Sequence, residues 1–508
     1  MAHDTELFLD DRFIEMSGGV TRRINRPSKY PFNPVLKPES WWEGRLLQAT
    51  CALYDPEDKL FKLWLRAGRG FRNDPLIDGH ELFTTYAVSR DGIHWDRPQP
   101  GVLELAGRRD HGVVLTGGVY PRLARQGKKG WIEGVIKHPA PRSPDEKFVC
   151  MYYDMKARGT YLAFSPDGVR WNKTDQPFWQ TPVDVTDWGD DGVNSMIYDR
   201  LKKKWVVYRR VIPQESERLT AVAEDENWKM PDRIMRVMGY AESDDLKEWK
   251  NHRIILAPDA DDDPDVEFYG LSVYVYEQVY IGYLWVFHMD PNRSSIDIQL
   301  VTSRDGVNFT RCCRRETFLP SGPRGYFDYQ VCMNYQSEPV VVNDTIYFYY
   351  TASNFDHYDG FLRKDAMASV GLATSPRDRF VCLESGLPEP CRLVTRPLVV
   401  KEPKLFLNAA TWGGGAIRTE ILTRDWKPVA GFESSAAEPV RGNNLAHRVR
   451  WKENADLGAL AGREIRLKFD LVDARLYAVT FSDEERESAP LPELRVPSSF
   501  SAEHPVEV

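Results

Sequence analysis

The sequence predicts an all-β protein, a five-bladed β-propeller followed by a C-terminal β-sandwich. Three observations predict it. A short motif is written five times at long intervals, alternating strand patterns surround each copy, and the motif stops after about residue 390 while the alternation continues.

The motif opens as "SRDGIHWDRP" at Ser89. It returns as "SPDGVRWNKT" at Ser165, "SDDLKEWKNH" at Ser243, "SRDGVNFTRC" at Ser303 and, more loosely, "SPRDRFVCLE" at Ser375. Its closing aromatics are Trp95, Trp171, Trp249, Phe309 and Phe380, spaced 76, 78, 60 and 71 residues apart. Each copy follows a short alternating stretch, such as "FTTYAVSRDG" or "IQLVTSRDG", that reads as a strand. The Asp-Gly supplies a tight turn, because Gly tolerates positive φ and Asp bonds its own backbone. The aromatic then opens the next strand.

Upstream of the copies lie hairpins, two strands about a polar turn: 49–67, 195–211, 271–288 and 339–353, with only "KFVCMYYDM" (147–155) clear in the second unit. Each unit therefore reads as four antiparallel strands, and radial repetition of such units is a propeller. The spacings exceed the ~40–50 residues of common propeller repeats, so the strands are joined by sizeable loops. The predicted division is 1–390 for the propeller, 391–484 for the sandwich and 485–508 for a charged, Pro-rich tail.

Composition bounds the rest. A chain of 508 residues has room for two or three domains, and a net charge of −8 argues against a nucleic-acid partner. No run approaches the ~18 apolar residues of a membrane span, and the N-terminus lacks a basic segment followed by an apolar one. The expectation is a soluble cytoplasmic protein; a trimmed leader would make it secreted or periplasmic. Seven Cys without zinc-type spacing read as buried free thiols. The stretch "DADDDPD" (259–265) lacks the Gly and terminal Glu of an EF-hand, and no nucleotide-binding, nucleophile-elbow or zinc-protease motif is present. No metal or cofactor is expected, and the oligomeric state is left open.

A repeat of Ser-x-Asp-Gly-x-x-Trp on propeller blades resembles the glycoside hydrolase clan of families 32, 43 and 68. The opening "LFLDDRFIEMSGGVTRRINRPSKYPFNPVL" and the tail sandwich resemble bacterial family-32-like glycosyl hydrolases. The resemblance implies a carbohydrate substrate and hydrolysis of an O-glycosyl bond. The chain departs from family 32 in its first blade, where "FNPVLKPESWWEG" lacks the nucleophilic Asp.

Glycoside hydrolysis needs two carboxyls, one protonated to cap the leaving oxygen and one ionised to attack or activate water. In a propeller these come from just ahead of the first strand of each blade. The candidates are Asp190 and Asp191 in "WGDDGVNSMIYD", Glu267 in "DPDVEFYGLSVYVYE" and Asp328 in "GYFDYQVCM". Glu267, beside Phe268 and Tyr269, is expected to be the acid, with Asp191 or Asp328 as nucleophile or base. Substrate contacts are expected from Trp42, Glu43, Asp110, His111, Asp190, Arg209, His288 and His357. Arg209 with Arg210 would suit a carboxylated or phosphorylated sugar. Alternatives are a non-catalytic carbohydrate-binding propeller and a phosphorolytic or transglycosylating relative.

Overall fold

The computed structural model describes residues 4–69, 75–119, 127–156, 159–180, 194–212, 236–290, 293–333, 338–355, 365–386 and 390–492. The fold is all-β, and its helical turns among these residues are short 3-10 turns. Among the described residues, no helix is long and apolar enough to cross a membrane. The chain divides into two units, residues 26–375 and residues 1–25 with 376–508.

In the larger unit the strands meander in antiparallel groups. The first contains Leu46–Asp55, Leu60–Gly68, His80–Ser89 and Val113–Leu115. The second contains Lys128–Lys137, Phe148–Asp154 and Gly159–Ser165, edged by Asn172–Lys173. The third is Asn194–Asp199, Lys204–Val211, Val237–Ser243 and Lys250–Leu256. The fourth is Val266–Tyr276, Val279–Asp290 and Arg293–Ser303 with Thr310–Arg311. The last contains Val331–Met333, Val340–Val342, Thr345–Ser353 and Ala368–Pro376, and it pairs with Ser28–Lys29 from the start of the unit.

Apolar packing runs from group to group. Leu47, Leu63 and Phe83 of the first group share a core with Val340, Tyr349 and Val370 of the last. Trp64 and Tyr86 share one with Ile132, Phe148 and Tyr152, Met151 and Leu162 with Met196 and Trp205, and Ile197 and Tyr208 with Phe268 and Val301. Phe348 meets Tyr283 and Phe318, joining the last group to the fourth. The strand pairings curl into a closed barrel, with the third group as a separate four-stranded sheet.

The repeated motif is a turn with its own hydrogen bonds. In the first copy Asp91 Oδ1 accepts the N–H groups of Ile93 and His94, each at 2.8 Å, and Ser89 Oγ accepts that of Gly92 at 2.8 Å. The same Asp bonds recur at Asp167, Asp245 and Asp305. The residue after Asp takes the left-handed conformation, with φ 77° at Gly92, 79° at Gly168 and 71° at Gly306.

The Gly carbonyls of these turns also tie neighbouring groups together. Trp64 Nε1 donates to Gly168 O at 2.7 Å, Tyr208 OH to Gly306 O at 2.9 Å and Tyr349 OH to Gly92 O at 2.7 Å. Each donor is the fifth residue of its strand, and the third of these bonds runs from the last group to the first. The closing Trp of the motif behaves differently. The indole N–H groups of Trp95, Trp171 and Trp249 are buried without a hydrogen-bond partner, so these rings serve as apolar plugs. Phe309 fills the same role in the fourth copy, where no donor is needed.

The smaller unit is a nine-stranded antiparallel sheet built on two long strands, Lys404–Thr423 and Glu464–Ser482, which pair along most of their length. The register slips between Thr411 and Ala416, where Gly413 and Gly414 have positive φ; a Cβ on Gly415 would sit 2.3 Å from Val472 O. Three N-terminal strands join this sheet: Asp4–Leu7 beside 478–481, Ile14–Gly18 beside 392–395 and Val20–Ile24 beside 381–385. The sequence assigned residues 1–25 to the propeller and put the boundary at 390. The structure pairs those strands with the C-terminal sheet and divides the chain at 25/26 and 375/376. Alternation marks a strand without naming its partner, and these partners lie more than 350 residues away. Of the expected tail, residues 485–492 are described; Leu491 N–H donates to Asn443 O at 2.8 Å.

Candidate functional site

Glu267 is the second residue of the Val266–Tyr276 strand and is 1% exposed. Its Oε2 lies 2.5 Å from Arg236 Nη1. Arg236 stands just ahead of Val237–Ser243 and also faces the rings of Tyr269 and Phe287, at 5.6 and 5.8 Å from their centroids. Arg210, 2% exposed, lies 4.4 Å from the Tyr269 ring and donates to Tyr269 O at 3.3 Å. The general-acid expectation required an isolated carboxyl among aromatics. The structure supplies the aromatics together with a guanidinium, that of Arg236.

The Tyr269 position comes from a bulge, since the register of the first strand shifts between Phe268 and Gly270. Gly270 has no side chain because a Cβ would sit 2.4 Å from the Trp285 ring. Similar shifts fall at Thr50 in the first group and near Glu133 in the second. Bulges re-aim side chains. Glu133, 1% exposed in "KKGWIEGVIK", is a buried acid that sequence reasoning passed over. The signal was present: a single acid between the apolar residues Trp131-Ile132 and Val135-Ile136.

Asp328 is 3% exposed, and its Oδ2 accepts from Lys29 Nζ at 2.6 Å and Tyr350 OH at 3.2 Å. Lys29 also donates to Pro320 O at 2.6 Å, so Asp328 ties the strand that closes the ring to the last group. Burial, with Cys332 and Asp328 nearby, holds the Tyr350 hydroxyl well above its ordinary pKa, which keeps it a donor. A Cβ on Gly322 would lie 1.9 Å from Asp328 Oδ1.

The residues expected to contact substrate occupy varied settings. Glu43 is fully buried, its Oε2 accepting the N–H groups of Glu39 and Ser40 at 2.9 Å and its Oε1 facing Arg97 Nε at 2.7 Å, a loop-anchoring set. Trp42 is 4% exposed and donates to Thr85 Oγ1 at 3.3 Å. Asp110 is exposed and paired with Arg108, which pulls its pKa down to about 2. His111 is enclosed; its Nδ1 accepts the Val113 N–H and its Nε2 faces Arg108 O, both at 3.2 Å. Burial lowers its pKa, so it is neutral at pH 7.

Arg209 places its guanidinium 3.8 Å from the Trp179 ring. His288 stands between two carboxylates, its Nδ1 4.0 Å from Asp265 and its Nε2 3.9 Å from Asp297. Asp263, Asp265 and His288 bring potential ligand atoms within 4.8 Å of one another. Asp190, Asp191 and His357 lie outside the described residues.

A second polar cluster surrounds the start of the second group, and sequence reasoning missed it. Lys129 Nζ lies 3.2 Å from Glu81 Oε1, Arg69 Nη2 lies 3.7 Å from Glu81 Oε2, and the Arg66 guanidinium covers Trp131 at 4.0 Å. Trp131 in turn packs on Tyr153, with centroids 4.7 Å apart. These residues are scattered over "LWLRAGR", "HELF" and "KKGW", so only the pairing of strands unites them.

No family model matches the chain, and no curated protein matches it. Among solved structures, the chain is similar to a BT0996 RGII complex at 13% identity and TM-score 0.47, over 69% of this chain and 92% of that one. It is similar to a β-1,2-mannobiose phosphorylase from Listeria innocua at 11% identity and TM-score 0.43, over 69% and 96%. It is also similar to a family 43 arabinoxylan arabinofuranohydrolase from Bacillus subtilis at 14% identity and TM-score 0.38, over 87% and 96%.

Proposed function

We propose that this protein is a glycoside hydrolase acting on a furanoside or other small glycoside, its larger unit a five-bladed propeller and its smaller one a β-sandwich. The observation that carries this reading is a pair of buried acids at matching places. Glu267 and Asp328 are 1% and 3% exposed, at or just before the first strands of two groups of a closed barrel. Burying two carboxylates costs several kcal/mol each unless they are paired, and a fold retains such groups where chemistry needs them.

The Arg236 ion pair supports Glu267 as nucleophile or base. Asp328, held by Lys29 and Tyr350, is a second candidate carboxylate, and Asp191 is a further acid from the sequence. Glu133, buried at the bulge in the first strand of the second group, is the candidate proton donor. Tyr269 and the neighbouring aromatics supply stacking faces for a sugar ring.

The test is turnover of a panel of nitrophenyl furanosides and pyranosides by the wild type, Glu133→Gln, Glu267→Gln and Asp328→Asn. The expected result is hydrolysis of at least one substrate, lowered on the order of a hundredfold or more in the Glu267 and Glu133 variants. Saturable sugar binding without turnover would favour the carbohydrate-binding reading, and turnover that requires added phosphate would favour phosphorolysis.

A further inference from the structure

We propose that Arg66, Arg69 and Lys129 form an oxyanion subsite, taking a carboxylate or phosphate group at the start of the second group of strands. Arg69 and Lys129 share one described carboxylate, Glu81, and Arg66 adds a third cation to the same cluster. Strand pairing explains the convergence. Arg66 lies two residues before the end of Leu60–Gly68, and Leu82 of the adjacent strand pairs in parallel with Lys129.

Each arginine keeps an unsatisfied N–H. The Nε atoms of Arg66 and Arg69 are buried without a hydrogen-bond partner, and so is Oε1 of Gln48, the cross-strand neighbour of Arg66. Among the described residues, Arg66 has only the face of Trp131. A partly buried guanidinium whose Nε–H lacks an acceptor carries an uncompensated desolvation cost. An anion with two or three oxygens would relieve that cost, accepting from the planar forks of Arg66 and Arg69 and from the Lys129 ammonium. Trp131, braced by Tyr153, fixes the Arg66 plane in advance, so little freedom is lost on binding. Burial lowers the Lys129 pKa, and Arg66 and Arg69 add to that lowering against Glu81.

The subsite has a counterpart in the proposed catalytic machinery. Lys129 and Glu267 are each the second residue of the first strand of their groups. The proposed function is thereby narrowed to a glycoside that carries a carboxylate or to a reaction using phosphate, and this narrowing rests on that function. The binding itself does not.

The experiment is calorimetric titration of the full-length protein at low ionic strength with inorganic phosphate, with glucuronate and galacturonate, and with glucose as the neutral control. Saturable one-to-one binding of phosphate alone assigns the anion to a co-substrate, and binding of a uronate alone assigns it to the sugar. In either case affinity should fall about tenfold or more in Arg66→Gln and in Arg69→Gln. Arg66→Gln should keep or raise Tm, since an uncompensated charge is removed. Absence of saturable binding by every anion overturns the proposal, as does undiminished affinity in both variants. So does a fall in Tm with unchanged affinity, which would make Arg66 structural. No turnover enters the measurement, so a failed hydrolase assay leaves this result standing, and the reverse.

Discussion

Arg236 holds Glu267 by a 2.5 Å ion pair, and the two come from different groups of strands. The carboxylate is 1% exposed, whereas the Arg236 side chain keeps 17% of its surface open. One partner is thus committed to the interior while the other keeps part of its surface open. Removing one partner of a buried pair typically costs about 3–5 kcal/mol, because the other is left uncompensated. Glu267→Gln should therefore lower stability as well as turnover. The Arg236→Met/Glu267→Met double variant should recover much of the stability and none of the activity. Urea denaturation beside nitrophenyl glycoside turnover checks both; additive losses of stability would mean that the pair is not coupled.

The two kinds of motif-associated tryptophan should respond differently to Phe. Trp64 donates to Gly168 O, so Trp64→Phe loses that bond and leaves a buried carbonyl, at a cost of roughly 1–3 kcal/mol. Trp95 has a buried indole N–H with no partner, so Trp95→Phe removes a penalty along with some packing and should cost under about 1 kcal/mol. Equal losses in the two variants, read by urea denaturation, would refute the distinction.

Gly168 offers a companion test. Its φ is +79°, and an added Cβ would meet the Trp64 ring at 2.8 Å. Gly107 has φ +73° with nothing within 4 Å of its Cβ position. Gly107→Ala should cost about 1 kcal/mol for the left-handed backbone alone. Gly168→Ala should cost about 2–3 kcal/mol more, because the added methyl overpacks the ring. The midpoints of the two urea transitions compare them directly.

Acid stability should depend on Glu242. Burial opposes its ionisation, but hydrogen bonds from Lys204 at 2.7 Å, Tyr240 OH at 2.6 Å and Asn251 at 2.8 Å outweigh it and hold its pKa at about 2. A carboxyl lowered on folding contributes stability above its unfolded pKa of about 4.5 and loses it as pH falls toward 2. Glu242→Gln should therefore flatten the fall in Tm across that window and lower Tm at pH 7. An unchanged pH profile would show that the three bonds do not favour the ionised form.

Thiol chemistry should single out one cysteine. Cys313 is partly exposed, whereas the other six are buried, and burial pushes the Cys51, Cys332 and Cys382 thiols up to about 12. A thiolate is the reactive form. Ellman's reagent should react rapidly with one equivalent of native protein and with all seven thiols after denaturation. Two or more fast equivalents, or a fast phase that survives Cys313→Ser, would contradict this.

Much of the fold was legible because its signals are local. The Ser-x-Asp-Gly turn carries its own hydrogen bonds within four residues, and alternating strands next to it bury one face by a period of two. The buried acids Glu267 and Asp328 were legible as acids beside aromatics ahead of strands. Their partners were not: Lys29 reaches Asp328 across 299 residues, and Arg236 reaches Glu267 from a separate group. The Arg236 contact of Glu267 was hidden in the sequence for that reason.

The amino-acid order alone determined the strands, the turns between them and the repeat, since each depends on neighbours a few residues away. Tertiary structure decided which strands the first 25 residues join, which carboxylates receive a cation, and how Arg66, Arg69 and Lys129 meet near Glu81. Those outcomes depend on through-space electrostatics and packing between segments tens to hundreds of residues apart. Such contacts leave no periodic trace in the chain.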